Sequence, residues 1–202
     1  MKTYIYIVRH AQSTGNVEKR LTGRQDYELT YDGKMQAEAL ANYLANVKFN
    51  VAYSSPSIRA IDTIKPIINR NNIKIYIKEQ LSEMYFGIYD GWKWEDVNRE
   101  NPKIHENHIK TNEIMDIPGQ ETTEHVAQRM YNEIEKIVQE NRKKNILIAS
   151  HGVAIEAFLR KVTGVPFTEE REKYSQKNTS INILTYEHKQ FNIEVLNYKI
   201  NE

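Results

Sequence analysis

Two short stretches of the sequence decide the fold, Tyr4-Ile5-Tyr6-Ile7-Val8 and Asn145-Ile146-Leu147-Ile148-Ala149. Both are apolar without polar alternation, which is typical of central strands in a sheet that is covered on both faces. Each run is followed within two residues by a histidine, His10 after the first and His151 after the second. Because ligands collect at the carboxyl ends of strands in an open α/β sheet, we expect the two histidines to meet there.

The stretch that follows His10 carries helical signals. Thr30 is placed to cap a helix. The apolar residues after it recur at helical spacing and predict one buried face, made of Leu40, Tyr43, Leu44 and Val47. Residues 51–53 read as a brief strand, Pro56 suits the first turn of the next helix, and residues 74–77 are a candidate strand.

The second half of the chain predicts two more helices and a hairpin. Residues 122–141 place apolar side chains on one stripe of a helix: Val126, Met130, Ile134, Ile137 and Val138. Residues 152–162 read as the helix that follows the second central strand. Residues 181–186 and 191–198 predict a closing hairpin.

Composition excludes several classes of function. Lys+Arg 28 against Asp+Glu 27 gives a net charge of +1, which is not the basic surplus of a dedicated nucleic-acid binder. The absence of cysteine excludes disulfides, thiolate metal sites and a cysteine nucleophile. The apolar run at the amino terminus is too short for a signal peptide or a membrane span, so a cytoplasmic location is the default expectation.

Three groups of residues carry the chemistry. Arg9 and His10 lie at the end of the first strand and are followed by a loop of small polar residues that includes Asn16. Such a loop can present hydrogen-bond donors to an anion. Ser150-His151-Gly152 lies where a strand ends and a helix begins, and the N-terminus of a helix favours phosphate. Arg59 lies on the first turns of a helix near the same edge. Guanidinium groups and a second histidine would together hold the oxygens of a phosphoryl group.

The nucleophile and the acid follow from the same reasoning. A neutral imidazole nitrogen attacks phosphorus without first losing a proton, and Arg9 and Arg59 disfavour protonation of His10. The departing alkoxide needs a proton, for which Glu83 is the candidate and Glu79 the alternative. The same carboxylate could then activate water to split phosphohistidine.

In these motifs the chain resembles the histidine phosphatase superfamily, the phosphoglycerate-mutase-like proteins. Arg9-His10-Ala11-Gln12-Ser13 is similar to the signature of that family, with alanine where glycine is more common. The resemblance continues in the family's order over nearly the whole chain, through Leu21 to Thr30, Asp32-Gly33, Gln36-Ala37, Ser54-Ser55, Arg59-Ala60, Thr63, Leu81-Ser82-Glu83, Gly87, Asp90-Gly91-Trp92, Pro118-Gly119 and Ser150-His151-Gly152.

The resemblance implies a phosphoglycerate-mutase-like fold of the α/β class. This is a three-layer α/β/α sandwich whose central sheet is mostly parallel, with an antiparallel edge. With 202 residues we expect a single domain spanning 1–202, in which 84–118 is an inserted segment that covers the substrate.

The resemblance also assigns roles to residues. It implies that His10 is the phosphorylated nucleophile, that Glu83 is the proton donor, and that no metal or other cofactor takes part. The phosphate-binding residues that we expect are Arg9, Asn16, Arg59, His151 and Gly152. Thr22, Gly23 and Arg24 are candidates for substrate binding. Arg24 would offer a cation to a second anionic group, unless it is an ordinary solvated arginine of a loop.

The function that these observations favour is metal-independent hydrolysis of phosphomonoesters through phosphohistidine. The expected partner is a small phosphorylated metabolite, with no nucleic acid and no membrane. The first alternative is a mutase, which must exclude water and hold a second phosphate. Glycolytic mutases of the family are usually longer and carry an arginine-rich insertion after the acid-bearing loop, whereas residues 92–119 contain no adjacent arginine pair.

A non-catalytic binding protein on the same fold is the second alternative. It would be expected to have a damaged catalytic set, and none of the five residues of that set is missing: Arg9, His10, Arg59, Glu83 and His151. The sequence leaves the oligomeric state open, a homodimer included.

Overall fold

The computed structural model describes residues 2–104 and 117–200. Its strands are β1 Thr3–Arg9, β2 Val51–Ser54, β3 Ile75–Ile77, β4 Asn145–Ser150, β5 Ile181–Glu187 and β6 Gln190–Tyr198. In this part of the chain they form one sheet in the order β3-β2-β4-β1-β5-β6. The first four strands pair in parallel, and β5 and β6 add an antiparallel edge next to β1. The expected mixed sheet is confirmed.

Helices connect these strands. They are α1 Thr14–Val17, α2 Tyr31–Tyr43, α3 Ile58–Asn71, α4 Trp94–Glu100, α5 Thr123–Glu140, α6 Gly152–Thr163 and α7 Arg171–Tyr174. Short 3-10 turns lie at Glu79–Leu81 and Gly87–Tyr89. Across residues 2–104 and 117–200, no helix is both long enough and apolar enough to cross a membrane.

The two faces of the sheet pack against different helices. Because successive side chains of a strand point to opposite faces, Ile5 and Ile7 join the core under α5 and α6, whereas Val8 joins the core under α2 and α3. In β4, Ile148 likewise joins the core under α5 and α6, and Leu147 joins the core under α2 and α3. Each fully buried isoleucine or leucine contributes about 1.5–3 kcal/mol to folding. The predicted three-layer α/β/α sandwich is confirmed.

Two details of the helix predictions are wrong. Thr30 does cap α2, since its hydroxyl accepts from the Gly33 N–H at 2.9 Å. The helix ends at Tyr43, however, so Val47 lies beyond it, and the Tyr43 side chain is exposed. The start of α3 also differs, because Ser57 takes the N-cap position and leaves Pro56 outside the helix. Apolar spacing alone does not locate such helix ends.

Within the segment 84–118, the described residues before and after the stretch 105–116 contact the core. Val97 of α4 and Ile104 are buried before that stretch, and Ile117 is buried after it. These three side chains pack in the core that holds α5 and α6. Residues 105–116, which belong to the same predicted segment, lie outside the described residues. That the segment covers the substrate stays a prediction.

Candidate active site

The sheet register brings the two histidines together. Arg9 of β1 pairs with Ser150 of β4, so the residues that follow, His10 and His151, leave neighbouring parallel strands at the same edge. The His10 N–H donates to the Ser150 carbonyl at 3.0 Å. The two imidazole rings lie with their centroids 5.2 Å apart and their planes inclined by 60°. Residues 141 positions apart in the chain therefore form one site.

The His10 ring is buried and has one assigned hydrogen bond. Its Nδ1 lies 2.8 Å from the Ala11 carbonyl oxygen. Since a carbonyl only accepts, Nδ1 carries the proton, and Nε2 of the neutral ring keeps its lone pair. Burial lowers the pKa of His10 well below its usual value, and the charges of Arg9 and Arg59 lower it further. The ring is therefore neutral at pH 7.

His151 is also buried and neutral. Its Nε2 lies 2.7 Å from the hydroxyl of Ser55, which directly follows β2. Burial lowers its pKa well below the usual value, with smaller effects of the same sign from Arg59, His10 and Arg9. In the described part of the chain, the buried Nδ1 of His151 has no hydrogen-bond partner. The hydrogen-bonding capacity of that nitrogen is therefore unused in this structure.

Arg9 and Arg59 bring positive charge to the two histidines, but they are held differently. Nη1 of Arg9 donates to the Gln176 carbonyl at 2.6 Å, and its buried Nε has no partner among the described residues. Burial lowers the pKa of the Arg9 guanidinium, while the nearby carboxylate of Glu83 acts in the opposite direction. Gly152 lies against this guanidinium, because a Cβ there would be 3.5 Å from Arg9 Nε.

Arg59, the second residue of α3, is fully buried and organises the loop of residues 22–26. Its terminal nitrogens donate to main-chain carbonyls of that loop, those of Gln25 at 2.8 Å, Gly23 at 3.0 Å and Thr22 at 3.2 Å. Its Nε has no partner in the part of the chain that the structure describes. Arg59 lies close enough to His10 for its charge to lower the pKa of that ring, and the sequence did not indicate that Arg59 also holds this loop.

Glu83 occupies the N-terminus of α6. Its Oε1 accepts from the N–H groups of Met84 at 2.8 Å and Ala154 at 3.0 Å, and its Oε2 accepts from Val153 at 3.1 Å. The prediction that phosphate uses this helix N-terminus does not match the geometry, because the amides of Val153 and Ala154 are engaged by a carboxylate. The alternative acid, Glu79, has an exposed side chain.

The remaining predicted residues divide between the cleft and the loop that Arg59 holds. Asn16 and Thr22 line the cleft. Gly23 is needed for close packing, since a Cβ there would lie 1.9 Å from Asp90 Oδ1. Arg24 pairs with Glu121, with Nη2 and Oε2 3.6 Å apart, and it is not among the cleft residues that the structure describes. This partly exposed ion pair fits an ordinary loop arginine better than the alternative, a cation that binds a second anion.

The cleft has a volume of about 540 Å³ and combines a charged end with apolar walls. It is lined by Arg9, Asn16, Lys19, Arg20, Leu21, Thr22, Glu83, Phe86, Trp94 and Val153. Arg20 is already engaged, because it pairs with Glu18 and donates to the Gly91 carbonyl. In the described part of the chain, no carboxylate pairs with Lys19.

Sequence reasoning missed two supports of the site. Arg129 of α5 donates to the carbonyls of Gln80 at 2.7 Å and Glu83 at 3.2 Å and pairs with buried Glu121, so it fixes the backbone that carries Glu83. The loop before β5 holds β1 from the other side, through Gln176 and Asn178. Neither support has a local signal, because each acts across dozens of residues.

A comparison with known protein families identifies the family of this chain. Residues 5–199 match the family described as the histidine phosphatase superfamily (branch 1). The chain belongs to this superfamily.

Individual relatives include both phosphatases and mutases. "Putative phosphoserine phosphatase 2" of Hydrogenobacter thermophilus is 32% identical over 161 residues, which cover 80% of this chain and 79% of that protein. The 2,3-bisphosphoglycerate-dependent phosphoglycerate mutase of Pelagibacter ubique is 31% identical over 78% of this chain and 79% of its own. The solved structure of Bacillus stearothermophilus YhfR has a TM-score of 0.89 at 26% identity and covers 96% of both chains. The superfamily and its phosphatase-named members support a phosphatase activity.

Proposed function

We propose that this chain is a metal-independent phosphomonoesterase that acts through a phosphohistidine at His10 on a small phosphorylated metabolite. The observation that carries the proposal is the state of His10. Its Nδ1 is committed to a carbonyl and its pKa is lowered, so Nε2 is an unprotonated nitrogen inside a cluster of cationic and neutral donors. An imidazole in this state is a competent nucleophile toward phosphorus.

The first half-reaction transfers the phosphoryl group to the protein. Nε2 of His10 forms a bond to phosphorus as the bond between phosphorus and the ester oxygen breaks. This step uses the protonated form of Glu83, whose carboxyl group gives its proton to the departing oxygen, which leaves as an alcohol. The charge on the three peripheral oxygens is stabilised by the guanidinium of Arg9 and by donors from His151 and Asn16. Arg59 adds its positive charge and keeps the loop of residues 22–26 in place.

The second half-reaction returns the protein to its starting state. Water attacks phosphorus opposite the bond to Nε2 of His10, and the Glu83 carboxylate accepts a proton from that water. The bond between phosphorus and nitrogen breaks, and its electron pair returns to His10. Phosphate leaves, and Glu83 is again protonated for the next cycle. One ester and one water are consumed, and one alcohol and one phosphate are released.

The cations around the cleft favour a hydrolase over a mutase. A mutase needs a second phosphate subsite to retain its intermediate. Arg20, which lines the cleft, is paired with Glu18, and Arg24, in the loop of residues 22–26, is paired with Glu121. Besides Arg9 of the proposed phosphate site, Lys19 is the lining cation without a carboxylate partner in the described part of the chain. The phosphoserine phosphatase name of a relative that is 32% identical supports a small phosphorylated metabolite as substrate.

The test is hydrolysis of an aryl phosphate in the presence of a chelator, combined with trapping of the phosphoenzyme. The wild-type protein should release phosphate and retain acid-labile label after rapid quenching. His10→Asn preserves a donor near Nδ1 and should abolish both signals. The matched control is His188→Asn in the exposed β5–β6 turn, where φ is 53° and asparagine is readily accommodated. Labelling of the His10→Asn variant, or loss of activity on chelation, would contradict the proposal.

The mutase alternative rests on the relative from Pelagibacter ubique that is named a mutase. It is tested by assaying a monophosphoglycerate in parallel for release of inorganic phosphate and for conversion to its positional isomer, with the bisphosphate added as primer. We expect release of phosphate to be the faster reaction. Faster isomer formation would favour the mutase.

A further inference from the structure

We propose that Asn178 is a positioning residue that orients the side-chain amide of Asn16, so that Asn16 offers a donor and not an acceptor to the transferring phosphoryl group. The inference rests on the proposed function, since it concerns the same phosphate site. Asn178 lies in the loop before β5, 162 positions from Asn16, and its side chain is half-buried.

The orientation of the Asn16 amide follows from its neighbours. One atom of the amide lies 3.0 Å from the Ser13 backbone nitrogen. A backbone N–H can only donate, so this atom must be Oδ1. The Ser13 hydroxyl approaches the same oxygen at 3.1 Å. Asn16 lines the cleft, and with Oδ1 turned to Ser13, Nδ2 is the group that remains for a ligand.

Asn178 completes this arrangement with both hydrogens of its own amide. Its Nδ2 lies 3.0 Å from the carbonyl oxygen of His10, which can only accept, so this atom must be the donor. The same Nδ2 lies 3.2 Å from Oδ1 of Asn16. Each of its two hydrogens therefore has an acceptor. Asn178 links the backbone of the nucleophile to the amide of Asn16.

The loop that carries Asn178 is itself tied to the site. The Thr179 N–H approaches the His10 carbonyl at 3.4 Å, and the Thr179 hydroxyl donates to the Asn178 carbonyl at 2.7 Å. Two residues before Asn178, the carbonyl of Gln176 accepts a hydrogen bond from the guanidinium of Arg9. The Gln176 side chain is fixed in turn by Ser180 and Asn182. This loop thus sets the position of the nucleophile, of Arg9 and of Asn16 together.

The chemical consequence concerns the sign of the dipole that Asn16 presents. A phosphoryl group has acceptor oxygens, so an Nδ2 donor stabilises it, whereas an Oδ1 in that place repels it. Asn178→Asp keeps the shape of the side chain but places carboxylate oxygens against two acceptors, His10 O and Asn16 Oδ1. Rotation of the Asn16 amide relieves part of this repulsion and turns the wrong atom toward phosphate.

The experiment is a double-mutant cycle on the full chain with Asn178→Asp and Asn16→Ala. The readouts are kcat/KM for an aryl phosphate and competitive inhibition by inorganic phosphate. We expect either single change to lower kcat/KM by about 10- to 100-fold and to weaken phosphate inhibition. The double variant should lose much less than the product of the two single losses, because most of the effect of Asn178 passes through Asn16 and only its bond to the His10 carbonyl adds a smaller loss of its own. Independent, multiplying losses would overturn the inference.

The matched control is Asn141→Asp, which makes the same chemical change away from the site. The Asn141 amide also donates to two acceptors, the Tyr53 hydroxyl at 2.8 Å and the Ile137 carbonyl at 2.9 Å. This variant should keep phosphate inhibition unchanged. A loss of inhibition equal to that of Asn178→Asp would reduce the effect to general destabilisation and overturn the inference.

A third variant keeps the inference testable if Asn178→Asp fails to fold. Asn178→Ala removes the donor without adding charge, and it should weaken phosphate inhibition less than Asn178→Asp does. Unchanged inhibition in Asn178→Ala would refute the inference. Failure of the proposed function is distinguished by trapping, because wild-type protein would then form no phosphoenzyme at His10. Failure of this inference would leave that phosphoenzyme intact.

Discussion

The two buried histidines of the site should make the stability of the protein depend on pH. The folded state keeps His10 and His151 neutral, because burial and neighbouring arginines lower the pKa of each well below 6.5. The unfolded chain binds a proton on each as pH falls through about 6.5. The unfolded state therefore holds more protons in the window below 6.5. Stability rises with pH across that window and is lost on acidification.

The magnitude follows from linkage. For one histidine that stays neutral when folded, lowering the pH from about 7.5 to about 5.5 removes about 1.4 kcal/mol from the free energy of unfolding. The two rings together should remove about 3 kcal/mol. This is a large part of the roughly 5–15 kcal/mol that holds a domain together, so urea denaturation can resolve it.

The assay compares the wild-type protein with a double variant, His10→Asn and His151→Gln. These changes keep a polar group near the atoms that bond to Ala11 and Ser55 but remove the titrating rings. The free energy of unfolding is measured in urea at the two pH values for each protein. The other histidines are present in both proteins, so their contributions cancel. We expect the pH-induced loss to be smaller by about 3 kcal/mol in the variant. An equal loss in both proteins would show that the rings are not neutral when folded.

Three further substitutions test the supports of the site. Glu83→Gln removes the proton donor, so we expect hydrolysis of alkyl phosphates to fall by about 10²–10⁴-fold and that of nitrophenyl phosphate much less, and equal losses would remove Glu83 from the acid role. Arg129→Met removes the partner of Glu121 at 2.6 Å and the donors to the Gln80 and Glu83 carbonyls, but Glu121 keeps its pair with Arg24, so the free energy of unfolding in urea should fall by about 1–3 kcal/mol, and an unchanged value would contradict the assigned contacts. Gly23→Ala places a Cβ 1.9 Å from Asp90 Oδ1 and 2.7 Å from the Met84 carbonyl, so the loop that Arg59 holds must shift. Its kcat/KM should fall, and an unchanged value would show that this loop does not shape the cleft.

Much of the fold was predictable because its signals are local. The apolar runs that become β1 and β4, and the stripe along α5, are read over neighbouring residues. The errors lie where a tertiary contact decides the outcome. Tyr43 fits the apolar period of α2, yet its ring stacks on Tyr198 at the surface, with centroids 5.4 Å apart.

The sequence named the members of the proposed site but not their contacts. The motifs named His10, Arg9, Arg59, Glu83 and His151, and the resemblance gave them an order. The partners of these groups could not be read from the chain. Arg24, for which a solvated loop arginine was the favoured interpretation and a second anion the alternative, pairs with Glu121. The N-terminus of α6, expected to favour phosphate, is occupied by Glu83.

The sequence by itself determined the family, the strand-forming runs and the histidine that each run delivers to the sheet edge. Hydrophobic periodicity and backbone geometry act between near neighbours, so this information survives in the linear order of residues. Only the tertiary structure decided which side chain satisfies which donor. Asn178 meets Asn16 across 162 positions, and Arg129 meets the Glu83 backbone across 46. Such hydrogen bonds depend on distances that exist only after the layers have packed, because any buried polar group must find whichever partner the packed fold places beside it.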